Sequence, residues 1–147
     1  MKVSEWIARH PGRPVTVAPD ATLEEMVDCL LDQPGVREIY VEEGGRLVGR
    51  LSHRRLVQLL LAEHQPVHTR RQLMERVAGG AARDLMDVHF PFVPPEEELG
   101  NVLHRQMARD IEDMPVIAAE GTLVGRVNLR EVIRAYRNDT GEEGRTW

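Results

Sequence analysis

Two stretches of this chain are written to one frame. "GRLVGRLSHRRLV" begins at Gly45 and "GTLVGRVNLREVI" at Gly121, and their inner glycines, Gly49 and Gly125, stand 76 positions apart. The same spacing separates Pro19 from Pro95 and Leu23 from Leu99, while Val41 and Val116 stand 75 apart. Self-similarity at one long period means two copies of a single supersecondary unit. The slippages of one residue fall in turns: copy one has an extra residue around "DQPGV" relative to "ARDI", and copy two has one more in "AAEG" than "EEGG" has.

Each copy reads the same way. A short strand, "PVTV" or "PFVP", runs into prolines, and a helix follows. In copy one Thr22 and Glu25 form a capping-box pattern, and Leu23, Met26, Val27, Leu30 and Leu31 fall on one helical face. Copy two places Leu99, Val102, Leu103 and Met107 on the equivalent face, with Glu96, Glu97 and Glu98 suited to the positive end of the helix. Two strands joined by a glycine turn come next, "REIYVEEGGRLVGRLS" and "EDMPVIAAEGTLVGRVN". A last helix carries Leu56, Val57 and Leu60 in copy one and Val132, Ile133 and Tyr136 in copy two. The class is therefore α/β (α+β), built from two β-α-β-β-α units. The spacing assigns residues 1–63 to the first, 64–81 to a linker whose "RRQLMERV" predicts a short helix, 82–137 to the second, and 138–147 to a polar tail. "VSEWI" opens copy one as "RDLM" opens copy two. A three-stranded unit cannot cover both of its faces, so the copies are expected to pack together. Leu59 and Leu61 extend the apolar surface further, toward a second chain.

Composition excludes more than it assigns. A chain of 147 residues with 41% hydrophobic residues builds a core without disulfide staples, and its one cysteine, Cys29, reads as a small buried apolar residue. Neither a signal peptide nor a transmembrane run is evident, which reads as a cytoplasmic, reducing-compartment protein with no membrane partner. A net charge of −5 argues against nucleic acid as a partner. Apart from Lys2 every basic residue is an arginine, which removes lysine-dependent phosphate loops and Schiff bases. The only serines, Ser4 and Ser52, lie in no nucleophile-elbow pattern. His64 and His68 share helical spacing but flank Pro66, so no metal site is assigned there. No catalytic residue is assigned, and an enzyme is disfavoured.

The succession of short strand, "PDATL" helix start, "REIYV" or "DMPV" strand, "GRLVG" hairpin and final helix resembles the cystathionine β-synthase (CBS) domain, here as a tandem pair, the Bateman module. The resemblance covers about residues 3–63 and 82–137. It implies a pseudo-twofold pair with two clefts, which in many relatives take AMP, ATP or another adenosyl ligand, and a disc-like homodimer. No cofactor is required.

In ligand-binding copies of that family the hairpin glycine is followed by two mostly apolar residues, a Ser or Thr, two variable residues and an Asp that accepts ribose hydroxyls. Carried onto this chain, copy one keeps the hydroxyl as Ser52 but has Arg55 at the carboxylate position. Copy two has Asn128 and Glu131 at those positions. Of the two residues at the carboxylate position only Glu131 can accept, so the expected site is the one lined by Asn128 and Glu131. Ser52 and Asn128 are also good helix N-caps. Thr16 and Phe92 stand where relatives seat adenine, and Met114 with Pro115 forms the apolar stretch before the hairpin. Tyr40 replaces that proline in copy one, either to stack on a base or to fill the space. His53, Arg54 and Arg55, with Arg130, are candidate phosphate partners. Arg50 and Arg126 are expected on the solvent side of the hairpin. The reading is a regulatory module that senses an adenine nucleotide and signals to a regulated protein. The alternative is a structural or dimerisation module that has lost its ligand.

Overall fold

The computed structural model describes residues 1–64 and 80–138. The predicted "RRQLMERV" helix, most of the linker, His68, the His64 side chain and the polar tail lie outside the described residues. The first copy comprises α1 (Val3–Arg9), β1 (Thr16–Val17), α2 (Leu23–Leu31), β2 (Glu38–Glu43), β3 (Arg46–Ser52) and α3 (His53–His64). The second comprises α4 (Ala82–Leu85), α5 (Leu99–Arg109), β4 (Asp113–Ile117), β5 (Leu123–Asn128) and α6 (Leu129–Asn138). The two-unit reading of the sequence is thus the architecture of the chain, with one reduction. The first strand expected in "PFVP" shrinks to a single parallel bridge between Val93 and Val116. Pro91, Pro94 and Pro95 bracket Val93 and have no N–H to extend the ladder.

The two compact units of the structure cut across the two copies. One, the continuous unit, is Val15–Phe90; the other, the split unit, joins Met1–Pro14 to the chain from Pro91 onward. In the continuous unit β1 runs parallel to β2, with Thr16 opposite Tyr40, and β2 runs antiparallel to β3. Val17, Ala21, Met26, Ile39, Val41, Leu51, Leu56 and Ala82 form its core. In the split unit β4 pairs antiparallel with β5, and Val3, Trp6, Val93, Leu99, Val102, Met114, Val116, Val127 and Ala135 form the core. The short helix that opens each copy therefore completes the unit built from the other copy's strands. Backbone bonds repeat this exchange faithfully. Val3 and Ser4 N–H donate to the carbonyls of Glu97 and Pro95, each at 2.9 Å, while Ala82 and Arg83 N–H donate to those of Ala21 and Pro19, each at 2.9 Å.

The helix following each proline segment is amphipathic, with one shared departure from the expected face. Thr22 Oγ1 accepts from Glu25 N–H at 3.2 Å, which fixes the start of α2. Met26 is buried and Leu23 and Leu30 pack on the core, but Leu31 is 73% exposed; in α5 Leu99 and Val102 are buried while Met107 is 61% exposed. Leu31 and Met107 each stand eight residues after the leading leucine, about 80° around the helix and off the buried stripe. Gln106 takes the place on the face that was expected to be apolar. Its Nε2 donates to the carbonyls of Val127, Ile111 and Glu112 at 3.0, 3.3 and 3.4 Å, tying the end of α5 to the hairpin. Glu97 pairs bidentately with Arg105 at 2.7 and 3.0 Å. Of the two leucines expected to face a second chain, Leu59 packs on the core of the continuous unit and Leu61 is exposed.

Gly49 and Gly125 occupy the same place in the two hairpins. Each faces a valine, Val41 or Val116, next to which the ladder shifts register. A Cβ on Gly125 would lie 2.9 Å from Cγ2 of Ile7, and one on Gly49 would overlap Met86. Ile7 and Met86 belong to the segments that open the copies, so glycine here lets those segments lie flat on the strands. Gly49→Ala and Gly125→Ala should each lower stability by about 1–3 kcal/mol in urea unfolding. Ile7→Ala combined with Gly125→Ala should cost less than the sum of the two single changes.

Candidate functional site

The last helix of each copy starts directly after its second hairpin strand, and its first turn is held by the residue that ends the strand. Ser52 Oγ accepts from Arg55 N–H at 3.1 Å, and Asn128 Oδ1 accepts from Glu131 N–H at 3.1 Å. Both are N-caps. His53 N–H donates to the Arg37 carbonyl at 2.6 Å and Leu129 N–H to that of Glu112 at 3.0 Å. These bonds satisfy amides that a helix start otherwise leaves open.

In the split unit Glu131 projects from this turn onto Arg126. Arg126 Nη2 donates to Glu131 Oε1 at 2.9 Å, and Nη1 lies 3.9 Å from Asp113 Oδ2. Asn128 Nδ2 donates to Asp113 Oδ1 at 3.4 Å. Gly12 closes over the pair: a Cβ on it would stand 3.4 Å from Arg126 Nε and 3.5 Å from Glu131 Oε1. The side chains of Arg126 and Glu131 are 21% and 19% exposed. Two atoms of the pair, Arg126 Nε and Glu131 Oε2, are buried with no hydrogen-bond partner among the described residues.

The equivalent place in the continuous unit is arranged differently. Arg50 Nη1 lies 3.4 Å from Glu38 Oε1, and Tyr40 donates its hydroxyl to Glu38 Oε2 at 2.9 Å. Arg50 also exchanges both backbone bonds with Asp87, each at 2.9 Å. Arg55 turns to the opening segment of copy two, where Nε meets the Leu85 carbonyl at 3.5 Å. With a cation at position 55, Arg50 keeps to the acid on the neighbouring strand. With an anion at position 131, Arg126 is drawn to the helix start.

The expectation that Arg50 and Arg126 face solvent is corrected by this geometry. Both lie along the sheet, half-buried, because an acid sits diagonally across the hairpin, Glu38 for one and Asp113 for the other. Tyr40 fills space and does not offer a face to a base: it is 1% exposed, its hydroxyl is bonded, and its ring meets Phe90 edge-on at 5.6 Å. Met114 and Pro115 are likewise buried, and the Pro115 carbonyl accepts from Val93 N–H at 3.0 Å. Phe92, next to that bridge, is 53% exposed. Thr16 is half-buried, whereas His53, Arg54 and Arg130 are exposed. The split unit thus holds Phe92, Met114, Pro115, Asn128, Arg130 and Glu131, and the continuous unit holds Thr16, Tyr40, Ser52, His53, Arg54 and Arg55. Sequence reasoning missed Gly12, Asp113 and the partner role of Arg126. The recurrence of arginine directly after both hairpin glycines was the available signal. Among the described residues no group of three or more His, Cys, Asp or Glu is placed to hold a metal ion, and no helix is long and apolar enough to cross a membrane.

Ser52→Ala and Asn128→Ala should each reduce stability by about 1 kcal/mol, read as a lower urea midpoint, and Asn128→Asp should retain most of it.

The comparisons with known proteins agree with this architecture. The CBS domain model matches residues 3–62 and 82–138. A CBS domain-containing protein from Thermotoga maritima superposes with a TM-score of 0.70 at 26% identity, over 98% of each chain. CBSX2, solved in complex with AMP, gives a TM-score of 0.71 at 21% identity over 95% of this chain and 98% of its own. The cytosolic domain of the Mg2+ channel MgtE, solved in complex with ATP, gives 0.58 at 24% over 83% of this chain and 44% of its own. Two matches of one family model, in the order and at the spacing of the two copies, make this chain a member of the CBS-domain family, as a tandem pair.

Proposed function

We propose that the split unit binds an adenine nucleotide of the AMP or ATP class and that the module passes its occupancy to a regulated protein. CBS-domain proteins are regulatory rather than catalytic. The observation that carries the reading is Glu131, an anion at the first turn of α6 whose Oε2 is buried without a hydrogen-bond donor among the described residues. An unsatisfied buried carboxylate oxygen is costly, and a ribose hydroxyl donates what it lacks. Arg130, exposed on the same turn, meets phosphate, and exposed Phe92 flanks the base. The AMP carried by CBSX2 and the ATP carried by the MgtE domain supply the ligand class.

The structural reading is favoured in the continuous unit. Ser52 caps its own helix, Arg55 binds the Leu85 carbonyl, and Tyr40 is packed away, which leaves no carboxylate at position 55 to accept a ribose hydroxyl. Titration calorimetry on ligand-free protein tests both statements. AMP should bind, Glu131→Ala should weaken it about ten- to a hundredfold, and Arg55→Ala should leave AMP affinity within about twofold. Absence of heat with AMP, ATP and adenosine would remove the sensor reading and leave the structural module.

The module is further proposed to act as a homodimer. Val57 and Leu61 on α3, and Ile133 and Tyr136 on α6, leave large apolar side chains exposed, each pair at helical spacing. Light scattering should give twice the 16.7 kDa chain mass at tens of micromolar, and Ile133→Glu should lower it toward the single chain.

A further inference from the structure

We infer that Arg126 is a positioning residue that restricts Glu131 to one ribose hydroxyl, so that the site distinguishes the two hydroxyls of the sugar. The inference rests on the nucleotide reading above. A carboxylate has two oxygens, and one that faces a ribose freely can take a hydroxyl on each. Here Oε1 is committed to Arg126 at 2.9 Å, in an ion pair whose two side chains are about four-fifths buried and which lies under Gly12. A charge-assisted bond of this kind, screened little by solvent, is not displaced by a neutral hydroxyl, and it draws electron density from Oε1 that a second donor to that oxygen would need. Oε2 is buried and has no hydrogen-bond partner among the described residues, so it is the carboxylate oxygen left to take a donor. The second anion near Arg126, Asp113, is farther away at 3.9 Å and is itself engaged by Asn128, so it does not relieve Glu131 of the guanidinium.

Ribose recognition through a single oxygen predicts an asymmetry between deoxynucleotides. Calorimetric titration of the full chain with AMP, 2′-deoxy-AMP and 3′-deoxy-AMP should show one of the two analogues weakened about tenfold and the other within about twofold of AMP. Arg126→Gln frees Oε1, so both analogues should then be weakened relative to AMP, and Arg126→Lys should restore the one-sided pattern. A residue that merely supports the fold would change all three affinities together and leave their ratios alone. Equal weakening of both analogues on the parent protein overturns the inference while leaving nucleotide binding intact. AMP and both analogues binding alike places the ribose away from Glu131 and overturns it as well. Absence of AMP binding removes the functional reading and this inference with it. The comparison on the parent protein needs no variant, so a poorly folded Arg126→Gln does not obscure the result.

Discussion

The structure depends first on the burial of Trp6. This side chain opens copy one, yet it is fully buried among Val93, Leu99, Met114 and Val127, all supplied by copy two. Removing a buried aromatic of this size typically costs about 3–5 kcal/mol, a large part of the stability of any small domain. Ala82 makes the reciprocal insertion, with a smaller side chain, into a core supplied by copy one. Each opening segment also lies on the hairpin glycine of the unit it joins, Ile7 on Gly125 and Met86 on Gly49. Close approach of backbone to side chain at those two glycines is what permits the opening segments to continue across the strands toward the first turn of each last helix.

That route explains how the fold positions its candidate site. In the split unit the chain beyond α1 brings Gly12 over Arg126 and Glu131. In the continuous unit the corresponding stretch brings the Leu85 carbonyl to Arg55 and Asp87 to the backbone of Arg50. The same backbone scheme therefore supports two different electrostatic arrangements, chosen by the sign of one residue. An acid at the start of α6 is favoured by the helix dipole as well as by Arg126. Arg55 has no such help and turns to a carbonyl.

Much of this was legible in the sequence because it is carried by local rules. The period of the repeat, the glycine hairpins, the cap at Thr22 and the caps at Ser52 and Asn128 all follow from neighbours close in the chain. Leu31 and Met107 were misplaced by one step because a stripe of leucines was read one residue too far around the helix. Gln106 was missed because polar burial is decided by three carbonyls that meet only in the folded chain. The arginines Arg50 and Arg126 were assigned to solvent for a similar reason: strand alternation gives the face of a side chain, but not the acid on the adjoining strand toward which it bends. Gly12 carries no local signal at all, since its significance lies in residues more than a hundred positions later.

The interruption of one unit by the other also orders its assembly in time. The continuous unit is complete once Phe90 has left the ribosome, and all of its strand pairing is available by then. Met1–Pro14, made before the continuous unit, belong to a unit whose strands are made after it. Trp6 and Ile7 must therefore wait, exposed, until β4 and β5 have been synthesised, and for that interval the nascent chain presents an aromatic segment to whatever hydrophobic surface is nearby.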